Sequence, residues 1–379
     1  MWTKEKKGRS GKILVYGQNP PPYHGSNVMT RIFLESLRDI GYRALLSEKD
    51  FSRAISEVNR INIIKAARYS RYLFKYSRDI LKFRPGLIVF LTSVSPLAIL
   101  AESVLMFLAK IFCIPYVLYL HTPGYNYIQE KRHFLGVVVR RTFDGSRGCL
   151  VLGRNLQKET GLFFRGKIYV LANCLAEDIT PDVRARTSPL KILFLSNITE
   201  DKGILTFLES MLPIVRKHPE VRFIVAGPWQ DEMIKARAIE VVRSRDLMEH
   251  VEFIGPALDK RKEALFSSCD IFVFPSHYPR EEMSLVVLEA MRAGMPVITS
   301  RIGEMADVVV DGSCGFVVLP DDASMFADRI LRLIENPILR DRMGTVARAR
   351  FLELFSFESY KTNLRAILSD IFDGIRSRG

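Results

Sequence analysis

Apolar residues follow two rhythms along this chain. Short runs such as Lys12-Ile-Leu-Val-Tyr, Lys191-Ile-Leu-Phe-Leu and Ile271-Phe-Val-Phe are brief and continuously apolar, which predicts buried strands. Between many of them the apolar positions recur every three to four residues, which predicts helices. Strands are expected over 12–16, 87–91, 115–120, 149–152 and 168–171, and again over 191–195, 221–226, 251–254, 271–274, 296–299 and 316–318. Strands separated by helices predict parallel sheets. Two stretches open alike: the runs at Lys12 and Lys191 each lead through a polar loop into a helical pattern, from Asn27 and from Ile204. Each reads as the first β–loop–α unit of a Rossmann-like domain. Ala176 to Leu190, with two prolines and little periodicity, reads as the linker between them. The expected class is α/β, with domains over 1–180 and 181–355 and a last helical segment over 356–379.

Length and composition agree with this picture. A chain of 379 residues favours two domains, and 48% apolar with 26% charged residues is ordinary for a globular protein. Residues 96–120 are apolar enough to suggest a membrane span, but Glu102, Lys110 and Pro115 interrupt them, so a buried helix followed by a strand is expected. The basic N-terminus lacks the apolar core and cleavage site of a signal peptide. Five scattered cysteines with no C-x-x-C pair argue against a disulfide framework and for a reducing compartment. Charge changes the picture more. The net charge is +13, yet residues 1–185 hold 29 Lys+Arg and 14 Asp+Glu, while the remainder holds 26 and 28. The excess positive charge lies in the first half, where anionic lipid, nucleic acid or a polyanion could meet it.

The segment 270–296 carries the most chemistry. A strand, a polar loop from Pro275 to Met283 and a helix from Ser284 to Ala293 place a helix N-terminus and two acids, Glu281 and Glu289, at the carboxyl end of a strand. α/β proteins bind ligands there. Helix N–H groups suit a phosphate, and Glu289 suits vicinal hydroxyls. Ser284 is also a reasonable helix cap. Elsewhere, His121 ends the strand over 115–120, which aims it at the same kind of edge. Pro20-Pro-Pro-Tyr-His24-Gly25 follows the first strand, and Gly25 lets backbone approach a ligand closely. The six histidines show no metal-ligand spacing. Between Arg60 and Arg84 stand eight basic residues and one acid. Arg68, Arg71, Lys75, Arg78 and Lys82 recur at helical spacing beside Tyr69, Leu73, Tyr76, Ile80 and Phe83. Such adjacent basic and aromatic faces occur in helices lying on anionic membranes; a solvated helix packing its apolar face inward is the plainer alternative.

The words around Glu281 and Glu289 resemble the Glu-x7-Glu signature of retaining glycosyltransferases of the GT-B fold, in the group called family 4. The loop Asn197-Ile-Thr-Glu-Asp-Lys202-Gly203 is similar to the family's Gly-Arg-x4-Lys-Gly loop, with Asn197 where the family has Arg. The resemblance covers the second half strongly and the first half weakly. It implies two Rossmann-like domains facing across a deep cleft, with Phe357 to Arg376 returning to the first domain. It implies Lys202, and Asn197 or Arg280, on the donor diphosphate, with Ser284 and Leu285 offering backbone N–H groups to it. It implies Glu281 near the reacting sugar, Glu289 on the ribose, Gly227 beside the donor and Leu258 on the base. His121 would lie by the transferred sugar, with His24 and Gly25 near diphosphate and acceptor. Asp307 stands where the family has a structural Glu, and Glu282 where it has Gly. No Asp-x-Asp stands in a loop after a strand, so neither metal nor cofactor is expected. The implied partners are a nucleotide-sugar, a lipid-linked glycan acceptor and the inner face of the cell membrane, with no nucleic acid. A sugar-nucleotide epimerase and a non-catalytic binding module on the same scaffold stay open.

Overall fold

A computed structural model describes residues 11–20, 25–49, 63–131, 133–176 and 188–377. The chain forms two compact units, residues 1–173 with 357–379, and residues 174–356. Each is built on a six-stranded, fully parallel sheet with helices packed against it.

In the first unit the strands are β1 (Lys12–Gly17), β2 (Arg43–Glu48), β3 (Leu87–Thr92), β4 (Tyr116–Leu120), β5 (Cys149–Val151) and β6 (Ile168–Val170), in the order β2-β1-β3-β4-β5-β6. The apolar run that interrupted charges spoke against as a span forms the helix Pro96–Ile111 and then β4. Among the described residues no helix is long and apolar enough to cross a membrane. Strand β2 has no counterpart among the expected strands. Its residues Arg-Ala-Leu-Leu-Ser-Glu alternate too weakly to signal, since β2 is an edge strand buried mainly at Ser47. The helix Phe357–Arg376 closes this unit. Tyr360, Leu364 and Leu368 are buried, Phe372 stacks on Tyr42 at 5.7 Å, and the Tyr360 hydroxyl lies 3.4 Å from that of Tyr119.

The helix Ile63–Phe83 packs its aromatic stripe inward. Tyr72, Tyr76 and Ile80 are buried, and the Tyr72 hydroxyl bonds Ser47 at 2.9 Å. Tyr69 donates to Ala101 O at 2.6 Å. The aromatic stripe therefore packs into the unit's core and is not a free lipid-facing face. Burying each such side chain is worth about 1.5–3 kcal/mol, which fixes the helix's rotation. Outward stand Arg71, Arg78 and Lys82, with Phe74 82% and Leu81 60% exposed between them. Arg68 and Lys75 are half-buried at the margins.

In the second unit the strands are β7 (Lys191–Leu195), β8 (Arg222–Ala226), β9 (Val251–Gly255), β10 (Ile271–Phe274), β11 (Val297–Ser300) and β12 (Gly315–Val318), in the order β12-β11-β10-β7-β8-β9. The strand order reverses between β7 and β10, which pair in parallel with Ile271 opposite Ile192. Such a switch point opens a crevice at the strands' carboxyl ends.

Candidate functional site

The loops after β7 and β10 flank that switch point, and they bring two of the expected residues into contact. After β7 a short 3-10 turn, Glu200–Lys202, ends on Gly203 at φ +77°. A side chain there would be strained, and its Cβ would meet the Pro275 carbonyl oxygen at 2.0 Å. The close approach of the two loops thus requires glycine. It places the Lys202 ammonium on the Glu281 carboxylate, with both side chains largely buried. The ammonium also lies 4.9 Å from the Tyr278 ring centroid and 5.7 Å from that of Phe274. Ser276, wholly buried, has its hydroxyl 3.3 Å from both Glu281 Oε2 and the Asp201 carbonyl oxygen. The His277 backbone N–H donates to the same carbonyl at 2.8 Å, and His277 Nδ1 lies 2.8 Å from Asp321 Oδ1. The loop after β10 is therefore sewn to the turn that carries Lys202.

Other expected donor residues occupy the same edge. Gly227 follows β8 at φ +133°, where a Cβ would meet the Ser196 carbonyl oxygen at 1.7 Å. Ser284 takes the N-cap position of the helix Leu285–Arg292, yet its hydroxyl makes no capping bond, so the cap is positional. Glu289, on that helix, pairs with Lys262 at 2.5 Å. Leu258, after β9, is exposed and caps the helix Asp259–Ser268 without a side-chain bond. Asn197 and Arg280 both stand at the surface. The acid buried near Asp307 is Glu304, whose N–H donates to Glu282 O at 2.8 Å, while Asp307 is exposed.

The first unit has its own cluster at the carboxyl edge of its sheet. Lys49, just past β2, reaches Glu102 Oε1 at 2.8 Å, Leu91 O at 2.8 Å and Ser93 Oγ at 3.4 Å, and lies 4.5 Å from the Tyr16 ring centroid. Glu102 Oε2 accepts from Ser93 N at 3.2 Å. Burial pushes the Glu102 carboxyl up, and Lys49 opposes it. His121 follows β4, its ring 4.2 Å from that of Tyr119. Its Nε2 is enclosed without a hydrogen-bond partner. Gly25 is exposed and opens the helix Gly25–Asp39, whereas His24 lies outside the described residues. Among the described residues no group of three or more His, Cys, Asp and Glu is placed to hold a metal ion.

Burial, reinforced by Lys49, pushes the His121 imidazole down to about 3. The unfolded value is near 6.5, so between the two the unfolded chain binds a proton that the folded chain excludes. The stability from neutral His121 is full above about 6.5 and lost as pH falls toward 3. His121→Gln should flatten this acid limb by up to about 1.4 kcal/mol per pH unit, measured by urea unfolding at two pH values inside the window. Parallel limbs in parent and variant would mean that the imidazole is wet.

Lys49, Glu102, Ser276, Tyr278 and Lys262 were not singled out as site residues from the sequence. Glu102 carried a signal, because an acid inside an apolar helix needs a buried partner. Lys262 carried none, standing after two other basic residues, Lys260 and Arg261.

Residues 176–350 match the family described as Glycosyl transferases group 1. A glycogen synthase of Mycobacterium tuberculosis is 29% identical over 185 residues, 47% of this chain and 42% of that protein. A phosphatidyl-myo-inositol mannosyltransferase of Mycobacterium leprae is 30% identical over 152 residues, 40% of this chain and 39% of that protein. These alignments thus span less than half the length of both relatives. Among solved structures, sucrose-phosphate synthase of Thermosynechococcus elongatus superimposes with a TM-score of 0.74 at 18% identity, over 96% of this chain and 99% of that one. The Anabaena protein HepE in complex with UDP-glucose does so with 0.72 at 18%, over 95% and 99%. These likenesses establish the GT-B architecture.

Proposed function

We propose that the protein is a retaining glycosyltransferase that moves a sugar from a nucleoside-diphosphate sugar to a hydroxyl acceptor without a divalent metal. The observation that carries this reading is the Lys202–Glu281 contact at the switch point of the second sheet, inside the residues matching Glycosyl transferases group 1. Lys202 and the start of the helix Leu285–Arg292 would neutralise the departing diphosphate, a role that preorganised cations and N–H dipoles fill well. Glu281, released from Lys202 as the diphosphate arrives, would accept hydrogen bonds from the sugar. Glu289 would hold the ribose, and neutral His121 would bond a sugar hydroxyl. Catalysis then rests on positioning and leaving-group stabilisation.

Incubating the protein with UDP-, GDP- and ADP-sugars should yield nucleoside diphosphate at a rate raised by acceptor and unaffected by EDTA. Interconversion of the sugar without release of nucleotide would instead make it an epimerase on the same scaffold. Failure of every nucleotide to bind would reduce it to a scaffold module.

The acceptor reading, a lipid-linked glycan at the inner membrane face in cell-surface polysaccharide synthesis, is supported by the outward face of the helix Ile63–Phe83. Beside it, the helix Pro96–Ile111 exposes Val104, Phe107 and Ile111 in one stripe. A helix apolar even on its outer side is suited to a non-aqueous neighbour. Arg71, Arg78 and Lys82 would add about 1 kcal/mol each on anionic lipid. Changing all three to Glu should release the protein from anionic vesicles in cosedimentation, and high salt should do the same to the parent. Retention of the charge-reversed protein would make the face merely solvated; preference for nucleic acid over vesicles would give it the other partner.

A further inference from the structure

The loop that carries His121 is short, and a glutamate from another helix ties down its far end. Between β4 and the helix Tyr125–Lys131 stand only His121, Thr122, Pro123 and Gly124. Pro123 has no N–H to donate. Gly124 sits at φ +111°, with open space where a side chain would project. Glycine leaves the backbone free to turn there, so the end of the loop depends on its hydrogen bonds. The Gly124 N–H donates to Glu159 Oε1 at 2.7 Å. One residue further on, the Tyr125 hydroxyl donates to Ser93 O at 3.0 Å, in the loop after β3. Glu159 belongs to the helix Arg154–Gly161, which follows β5. It is half-buried, whereas its neighbour Lys158 stands exposed. A carboxylate that accepts from a backbone N–H makes a charge-assisted bond, about twice as strong as a neutral one. The near end of the loop is fixed by β4 itself, where the His121 ring lies 4.2 Å from that of Tyr119.

We propose that Glu159 is a positioning residue for His121. Its carboxylate holds the end of the loop at Gly124 and so sets the direction in which the imidazole is held. The proposal rests on the reading of His121 as a ligand of the transferred sugar. It gives a share in turnover to the helix after β5, acting through the backbone of its neighbour.

Two measurements test it. Hydrogen exchange reads the loop directly. In Glu159→Ala the segment His121–Tyr125 should exchange roughly tenfold or more faster than in the parent, the loss of a hydrogen bond to a charged group. Release of nucleoside diphosphate from UDP-, GDP- and ADP-sugars reads the chemistry. With the fastest of these, Glu159→Ala should lower kcat by roughly ten- to a hundredfold, as a small misplacement can. KM should change by less than about twofold, since donor binding is left intact. Glu159→Gln keeps an acceptor oxygen at the same reach and should bring exchange and kcat back to within roughly threefold of the parent. In a His121→Ala background, Glu159→Ala should cost nothing further, because residues that act as one unit are not additive. A lower melting temperature with kcat unchanged would make Glu159 a stabilising residue only and overturn the proposal. So would unchanged exchange in Glu159→Ala, or its full loss of kcat in the His121→Ala background. His121→Ala alone tests the underlying reading. If it turns over as the parent does, or if the parent releases no nucleotide from any of the sugars, the role of His121 fails and the inference with it.

Discussion

Replacing Lys202 with alanine is expected to lower turnover by about a hundred- to a thousandfold, the cost of removing one preorganised group from a developing anion. The effect has two sources. On the reading proposed above, the diphosphate would lose its cation, which should also weaken nucleoside diphosphate by roughly ten- to a hundredfold while leaving the nucleoside unchanged. In addition, Glu281 loses the ammonium that neutralises it in the empty site. Glu281→Gln separates the two. It frees Lys202, so nucleoside diphosphate should bind at least as tightly as to the parent, while turnover still falls. Steady-state rates and calorimetry on both variants check this. Weaker nucleotide binding by Glu281→Gln would mean that the carboxylate orients Lys202 for the phosphate and does not compete with it.

The largest expected loss of stability comes from the other unit. Lys49→Met removes the partner of a carboxylate that is 4% exposed. Breaking a buried ion pair from one side costs about 3–5 kcal/mol, against a total stability of about 5–15 kcal/mol for a typical protein. The deficit should narrow as pH falls. Burial already raises the Glu102 carboxyl and Lys49 holds it back, so without Lys49 the group protonates more readily and sheds its charge. The double variant Lys49→Met/Glu102→Leu should recover most of the loss, because replacing both members of a buried pair by apolar groups is often neutral. Urea unfolding followed by a signal from the first unit reads all three proteins. A single variant as stable as the parent would place water beside Glu102.

The second unit was the more legible in the sequence. Its strands are continuous apolar runs, and its glycine, lysine and glutamate positions sit at fixed offsets from them. Gly203 and Gly227 are picked out by their resemblance to the family's motifs, and backbone contacts at 2.0 and 1.7 Å give the physical reason that glycine stands there. What escaped is what periodicity does not encode. Strand β2 is a weakly buried edge. The stripe from Tyr69 to Phe83 shows that one face of its helix is apolar, but not whether protein or lipid covers it; the packing of Tyr72, Tyr76 and Ile80 against the sheet decides that. Lys49 and Glu102 lie 53 positions apart, and Lys262 and Glu289 belong to separate helices. Pairings of that kind depend on strand order, which a linear pattern leaves open.

The first unit is discontinuous in the chain, and this orders its biosynthesis. Residues 174–356 form a self-contained unit and can fold as they leave the ribosome. The first unit, although made earlier, lacks Tyr360, Leu364, Leu368 and Phe372 until the helix Phe357–Arg376 emerges. At about 5–20 residues per second, roughly 180 intervening residues impose a wait on the order of 10–40 s. Throughout that interval the surface around Phe33, Tyr42 and Tyr119 has no cover, in a nascent chain whose excess charge is positive. The half that is translated first is therefore completed last.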